Sequence, residues 1–342
     1  MKRQNVSRRE AVAQFAAFLA ASPLLSAQQT PRLKGEAAGR IAPFGQLVNT
    51  HEFEPMAERK LDRAVFESIA ETGRDGFQRI TFRPRLMMNT SALDLTTKLF
   101  EHSMFAPIMV GPVSHQKQFH VEGELAVAKG CAEAKALMVL ADRSDIAVEQ
   151  IAERTKSGLW YQVYAEGDAG HTLARTEKAV AAGCSAVVVT ASSRGPKRSW
   201  KFFERIRADV SVPLLFKGVM DPKAARDAIA RGANGIVVSN HGDGLTDPII
   251  ALPKITDAVG SEAPILIDGG FRRGTDVLKA LALGATSVLV SRPVMWGLAA
   301  YGSDGVRTVI ELLQAELARD MAMLGTVNPD AVTRDHVRVH SR

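Results

Sequence analysis

Residues 213–240 read PLLFKGVMDPKAARDAIARGANGIVVSN, and this stretch decides the fold. A short apolar run, Pro213 to Val219, is followed by an amphipathic helical stretch from Pro222 to Ala230. Gly232 after Ile229-Ala230-Arg231 supplies the left-handed stop, and a second apolar run, Gly235 to Asn240, begins at once. That is one strand–helix unit and the start of the next. The unit recurs along the chain. Its apolar runs are Ile108 to Pro112, Leu137 to Leu140, Trp160 to Ala165, Ala186 to Ala191, Pro213 to Val219, Gly235 to Asn240, Pro264 to Asp268 and Ser287 to Val290. Gly183 and Gly284 end two more of the intervening helices. Eight such strands in series predict an α/β fold, a closed (β/α)8 barrel, in preference to an open sheet.

Working outward, the barrel occupies residues 106–342 and ends in a helix over Asp304 to Leu324, read from the spacing of Val309, Leu312, Leu313 and Leu317. Residues 28–105 lie outside the repeat. They read as an N-terminal cap with a helix near Leu61 to Ala70 and an extended Arg79 to Met87. Residues 1–27 read as an export signal: Lys2, Arg3, Arg8 and Arg9 precede an apolar stretch from Ala11 to Leu25, and Ser26-Ala27-Gln28 offers a cleavage site. The pair Arg8-Arg9 points to the twin-arginine route and a periplasmic destination. A run this short, broken by Gln14 and Pro23, is too weak for a permanent membrane span.

The 342 residues carry a formal charge of +6, and loss of the signal removes four positive charges and one negative, leaving +3. With no basic run interleaved with aromatics, nucleic acid is excluded as a partner. Cys131 and Cys184 stand in Ala/Gly-rich stretches and read as small buried residues, and no Cys/His spacing suggests a metal site.

Barrel enzymes carry their chemistry at the C-terminal strand ends, so those positions are the ones to inspect. Gln162 and Tyr164 fall on the third run, Thr190 and Ser192 at the end of the fourth, and Lys217 on the fifth. The sixth ends in Ser239-Asn240-His241-Gly242, the seventh in Asp268-Gly269-Gly270-Phe271-Arg272-Arg273-Gly274, the eighth in Ser291-Arg292-Pro293. Glycines after the seventh strand, with Arg272 and Arg292, suit a phosphate-bearing ligand held at a helix start. Lys217, in an otherwise apolar strand, needs an anionic partner, which a cofactor that becomes anionic would provide. His241 at a strand end is a proton acceptor suited to neutral pH.

These residues resemble the FMN-dependent α-hydroxy-acid oxidase and dehydrogenase family. The likeness runs from about Phe66 to the C-terminus and includes Phe82-Arg83-Pro84-Arg85, Ala106-Pro107-Ile108, Gly123-Glu124, Phe216-Lys217-Gly218-Val219, Ser239-Asn240-His241-Gly242 and the segment from Ile267 to Ala285. The resemblance implies FMN as cofactor. Pro112, Val113 and Ser114 would back the flavin ring, Gln162 and Thr190 would bond its pyrimidine edge, and Lys217 would sit near its N1 side. Asp268, Gly270, Arg272 and Arg292 would take the ribityl and phosphate groups, with Ser291 in place of the usual glycine. His241 would remove a proton from a 2-hydroxy acid, with Tyr164 beside it, the electrons passing on to oxygen or a respiratory carrier. Family likeness also implies a homo-oligomer.

The substrate side departs from the family. Gly244 stands where the family has a carboxylate-binding arginine, Ser192 where it has the aspartate that orients the histidine, and Ser68 where it has a tyrosine. The loop after the fourth strand shrinks to about Ser193–Ser199, leaving Arg198 or Arg194 to match the second substrate arginine. Arg143 and Arg198 are candidate anion clamps, and Asp243 and Asp142 candidate partners for His241. Two other readings stand beside the oxidase: a flavin-binding protein with lost or altered catalysis, which Gly244 and Ser192 favour, and another FMN-barrel chemistry such as a non-redox isomerase, which the His-plus-Lys pattern disfavours.

Overall fold

The structure is a computed structural model that describes residues 40–71, 73–85, 87–155, 158–165, 168–191, 200–242 and 246–340. The chain divides into Met1–Ile41 and Ala42–Arg342, and the barrel and its cap belong to the second unit. The export segment, Ser192, Arg194, Arg198, Asp243 and Gly244 lie outside the described residues.

The strands in chain order are β1 (Ile80–Phe82), β2 (Thr97–Leu99), β3 (His102–Met104), β4 (Ile108–Val110), β5 (Met138–Ala141), β6 (Leu159–Tyr164), β7 (Val187–Thr190), β8 (Leu214–Val219), β9 (Gly235–Val238), β10 (Ile265–Asp268), β11 (Ser287–Val290) and β12 (Val337–Val339). β4 to β11 form a closed barrel in sequence order, sealed where Val288 of β11 pairs in parallel with Ile108 of β4. Covered by helices outside and packed side chains inside, these strands are apolar on both faces. Val187-Val188-Val189 of β7 is the plainest case, buried throughout.

Between the strands run helices whose ends the sequence sets. In the quoted unit the helix Pro222–Ala230 begins with proline in its first turn, and the Asp221 carboxylate accepts from the Ala224 N–H at 2.9 Å. The last helix is longer than the spacing of its leucines suggests. It starts at Arg292, directly after β11, and reaches Leu324 with a break at Gly302.

Alternation along the barrel strands builds the core and then the site. Met109, Leu137, Val139, Trp160, Ala186, Val188, Leu215, Val237, Leu266 and Leu289 meet inside the barrel. The hairpin β2–β3 closes the N-terminal end with Leu99 and Met104, while His102 bonds Ser185 at the start of β7. Because strand side chains alternate with period two, the next inward position towards the C-terminal end is Gln162 after Trp160 and Thr190 after Val188. Lys217 follows Leu215, Ser239 follows Val237, Asp268 follows Leu266 and Ser291 follows Leu289. An apolar plug therefore carries a polar ring on its upper surface.

The cap is tied down along one side. β1 pairs antiparallel with β12, Trp296 Nε1 donates to the Ile69 carbonyl at 2.8 Å, and Gly76 N donates to the Asp247 carboxylate at 2.6 Å. Arg63–Glu67 is the helical turn near Leu61–Ala70. The hairpin β2–β3, the helix Phe53–Glu58 and strand β12 are additions to the sequence reading.

Candidate active site

Lys217 is 4% exposed and its ammonium does not wait for a ligand. Nζ lies 2.7 Å from Asp268 Oδ2 and donates to Ser239 Oγ at 2.9 Å. A buried ammonium needs a partner, and Asp268, two strands along on β10, supplies one within the protein. Lys217 is aimed by a register shift between β8 and β9 at Gly218, whose φ is +108°. A side chain there would run into the Ala191 carbonyl, so the position requires glycine.

His241 follows β9 with φ of +55°, a left-handed conformation that a non-glycine residue holds only when its surroundings impose it. Three local bonds impose it here. His241 N donates to Ser239 Oγ at 3.1 Å, Gly242 N to Asn240 Oδ1 at 3.0 Å, and Asn240 Nδ2 to the Thr246 carbonyl at 2.9 Å. Ser239 Oγ thus links the base candidate to Lys217. Tyr164, at the end of β6, meets the His241 ring edge-on with centroids 5.8 Å apart. Arg143 lays its guanidinium 4.8 Å from the Tyr164 ring centre.

Lys217, His241, Asp268, Gly270, Arg272, Ser291, Arg292 and Pro112 bound one cavity of about 260 Å³. Arg272, 2% exposed, is held by Glu71 at 2.8 Å, by the Phe271 carbonyl and by the face of Trp296, but its buried Nη2 has no partner among the described residues. Burial lowers its pKa; Glu71 opposes this, and Arg292 and Arg74 add to it. Arg272 and Arg292 both face this cavity, and two guanidiniums on one wall give it a positive potential that suits an anion. The helix start beyond them is not part of it. Asp276 accepts from Arg272 N and Arg273 N, and Glu316 accepts from Gly274 N at 2.7 Å, so these amides are already satisfied. The turn at Gly269-Gly270, with positive φ at both positions, and Arg292 at the start of the last helix line the cavity directly.

Beneath the rim, Gln162 is 1% exposed, and neither Oε1 nor Nε2 has a partner among the described residues. A buried amide left so costs free energy unless a ligand completes it. Thr190 stands one strand away, 1% exposed. Pro112, Val113 and Ser114 form the half-buried turn after β4, braced where Gln116 Nε2 donates to the Val113 carbonyl at 3.1 Å. Ser291 fits because its neighbour is Gly111: a Cβ there would lie 2.5 Å from Ser291 Oγ.

One candidate falls away from the site, and the residue at the family's tyrosine position points elsewhere. Asp142 is bound by Arg175 at 3.0 Å and accepts from the Tyr161 hydroxyl at 3.3 Å, so it is not a partner for His241. Ser68 is exposed and donates to the Val65 carbonyl of its own helix at 2.6 Å. Glu71, Arg74 and Asp276, which hold the arginine wall, were not singled out from sequence. Only Asp276, in the first turn of a helix, carried a local signal.

The chain matches the profile of a family described as FMN-dependent dehydrogenase over residues 63–196 and 191–339. A peroxisomal (S)-2-hydroxyacid oxidase of Arabidopsis thaliana is 32% identical, over 86% of this chain and 98% of that one. An L-lactate oxidase of Nostoc is 34% identical, over 81% and 94%. Among solved structures, mandelate oxidase aligns with a TM-score of 0.81 at 32% identity, covering 86% of this chain and all of that one.

Proposed function

The chain belongs to the FMN-dependent dehydrogenase family and is a flavoprotein that oxidises 2-hydroxy acids, and from that premise we propose how its residues divide the work. His241 accepts a proton from the 2-hydroxy acid at an imidazole nitrogen, and Tyr164 fixes the face that this ring presents. FMN, when bound, supplies the two-electron acceptor that turns the hydroxy acid into the 2-oxo acid. Gln162 completes its hydrogen bonding on the pyrimidine edge of the flavin, with Thr190 beside it, and Pro112, Val113 and Ser114 back the flavin ring. Lys217, held in place by Asp268 and Ser239, presents its ammonium under the site. Gly270, Arg272, Ser291 and Arg292 enclose the phosphate end.

The observation that carries this reading is the fully buried Gln162 amide, without a partner among the described residues, in a polar ring beside a cavity walled by two arginines. It is tested by the visible spectrum of the purified protein, repeated anaerobically with glycolate, lactate, mandelate and longer 2-hydroxy acids. A flavin band bleached by one of them is the expected result; a flavin band that none bleaches favours lost catalysis, the second reading that Gly244 and Ser192 support. Reoxidation by oxygen against a quinone analogue identifies the electron acceptor.

The proposal extends to export through the basic and apolar segment from Lys2 to Ala27, with a periplasmic destination, and to a homo-oligomer. Cell fractionation and sedimentation test these.

A further inference from the structure

A cation from the end of β5 stands over the base's aromatic neighbour. Arg143 follows Ala141 and Asp142, and its guanidinium carbon is 4.8 Å from the centre of the Tyr164 ring, whose own centre is 5.8 Å from that of His241. Arginine and imidazole are thus separated by no more than the sum of those two distances. A 2-hydroxy acid carries its carboxylate on the carbon that bears the hydroxyl. The two groups are therefore close enough for one short substrate to reach both, its carboxylate at the arginine and its hydroxyl at the imidazole, through charge-assisted hydrogen bonds of about 2.8 Å.

The segment that presents Arg143 is fixed on both flanks. The Arg143 carbonyl accepts from His115 N at 3.0 Å, and Asp142 N donates to the Gln162 carbonyl at 2.8 Å. The Asp142 carboxylate is ion-paired with Arg175, and the Asp145 carboxylate accepts from Lys117 N at 2.9 Å. Buried Glu124 joins this loop to the turn after β4: its Oε1 accepts from both Asp145 N and Gln116 N at 3.2 Å. A guanidinium on a backbone bonded at so many points, with an aromatic face under it, is organised before the ligand arrives.

We propose that Arg143 binds the substrate carboxylate, with Tyr164 as its platform, so that a monocarboxylic 2-hydroxy acid is gripped from the β5 side of the rim. This rests on the reading of His241 as base given above. The position from which the family likeness leads one to expect a clamp holds Gly244, which carries no side chain to bind anything. Substrate orientation then reverses the usual source of the charge while leaving base and cofactor positions in place.

The test uses the FMN-loaded full chain and two readouts. The first is binding of pyruvate and phenylglyoxylate against their neutral amides, followed by the flavin difference spectrum. Wild type is expected to prefer the carboxylates, and Arg143→Met to lower their affinity by about 100-fold with the amides little changed. Arg143→Lys should recover part of the preference, and guanidinium ion should partly rescue Arg143→Gly, which a purely structural role would not produce. The second readout is anaerobic flavin reduction by the matching hydroxy acids, where the loss in Arg143→Met should fall mainly on KM. Carboxylate preference retained in Arg143→Met, with an unchanged flavin spectrum, overturns the proposal, as does a wild type without any carboxylate preference. If carboxylate binding tracks Arg143 but no hydroxy acid reduces the flavin, the clamp stands and the oxidase reading of His241 falls.

Discussion

The rim of the barrel is built in two ways. From β8 round to β11 the charges are met by ion pairs: Lys217 with Asp268, and Arg272 with Glu71 of the cap, while Arg74 of the cap reaches back to Asp276 in the helix Gly274–Ala282. From β5 to β6 and at the end of β9, Arg143, Tyr164 and His241 meet through the Tyr164 ring, the arginine over it and the imidazole edge-on to it, above backbone hydrogen bonds. Removing Lys217 strands Asp268 and removing Glu71 strips Arg272 of its carboxylate, whereas the backbone bonds that place Arg143 and His241 survive truncation of their side chains. The first half suits a ligand that never changes, and the second a ligand whose identity differs between relatives.

The comparison is sharpest at His241, where the largest effect is expected. Replacing it with alanine should slow flavin reduction by about 1,000-fold, the order that loss of a general base produces, while FMN stays bound. Reduction by the best hydroxy acid and the FMN dissociation constant, measured together, check this. If FMN is lost as well, the two halves are one network.

Lys217→Met should have the opposite signature. It strands Asp268, a change that costs about 3 kcal/mol when one member of a buried pair is removed. Apparent FMN affinity and melting temperature should both fall, and the ratio of rates between two hydroxy acids should not change. A shift in that ratio would break the division between halves. A smaller effect of the same kind is expected from Glu71→Gln, about tenfold in FMN affinity, because Glu71 is partly exposed and Arg272 keeps its bond to the Phe271 carbonyl and its seat on Trp296.

The first half was also the easier to read from sequence, and the reason is physical. Strand runs such as Val187–Thr190 announce themselves by β-branched composition, and the strand ends then place Lys217, Asp268 and Arg292 without further information. What sequence could not give was pairing across the barrel. Lys217 and Asp268 belong to strands separated by β9, so their ion pair has no local spacing to betray it, and Lys217 read as a charge in need of a ligand. Glu71 and Arg272 are the same case at greater distance. Asp142 shows the converse. Its place at a strand end suggested a partner for His241, but it sits beside Tyr161, whose ring lies on the strand face opposite to that of Gln162, and it pairs with Arg175 from the helix outside. The strands β2, β3 and β12 escaped because three residues are too few to display an alternation.

The smallest expected effect separates the halves by pH. His51 lies in the cap, 3.4 Å from Arg74, and its pKa falls below its ordinary 6.5, chiefly through burial and then through Arg74. With the folded value depressed, the unfolded chain takes up the proton first as pH drops, so folding loses stability from about pH 6.5 downward until the folded value is passed. The charge that then forms faces Arg74, Arg272 and Arg273, offset in part by Glu71, so acid should loosen the side of the cavity that Arg272 lines before it alters the other half. Melting temperatures of wild type and His51→Gln between pH 7.5 and 5 should show a shallower decline in the variant. The decline should not vanish, because His102, whose pKa burial also lowers, acts in the same direction from the far end of the barrel. A variant with the wild-type slope would remove His51 from the wall's electrostatics and leave Arg74 and Glu71 to balance it alone.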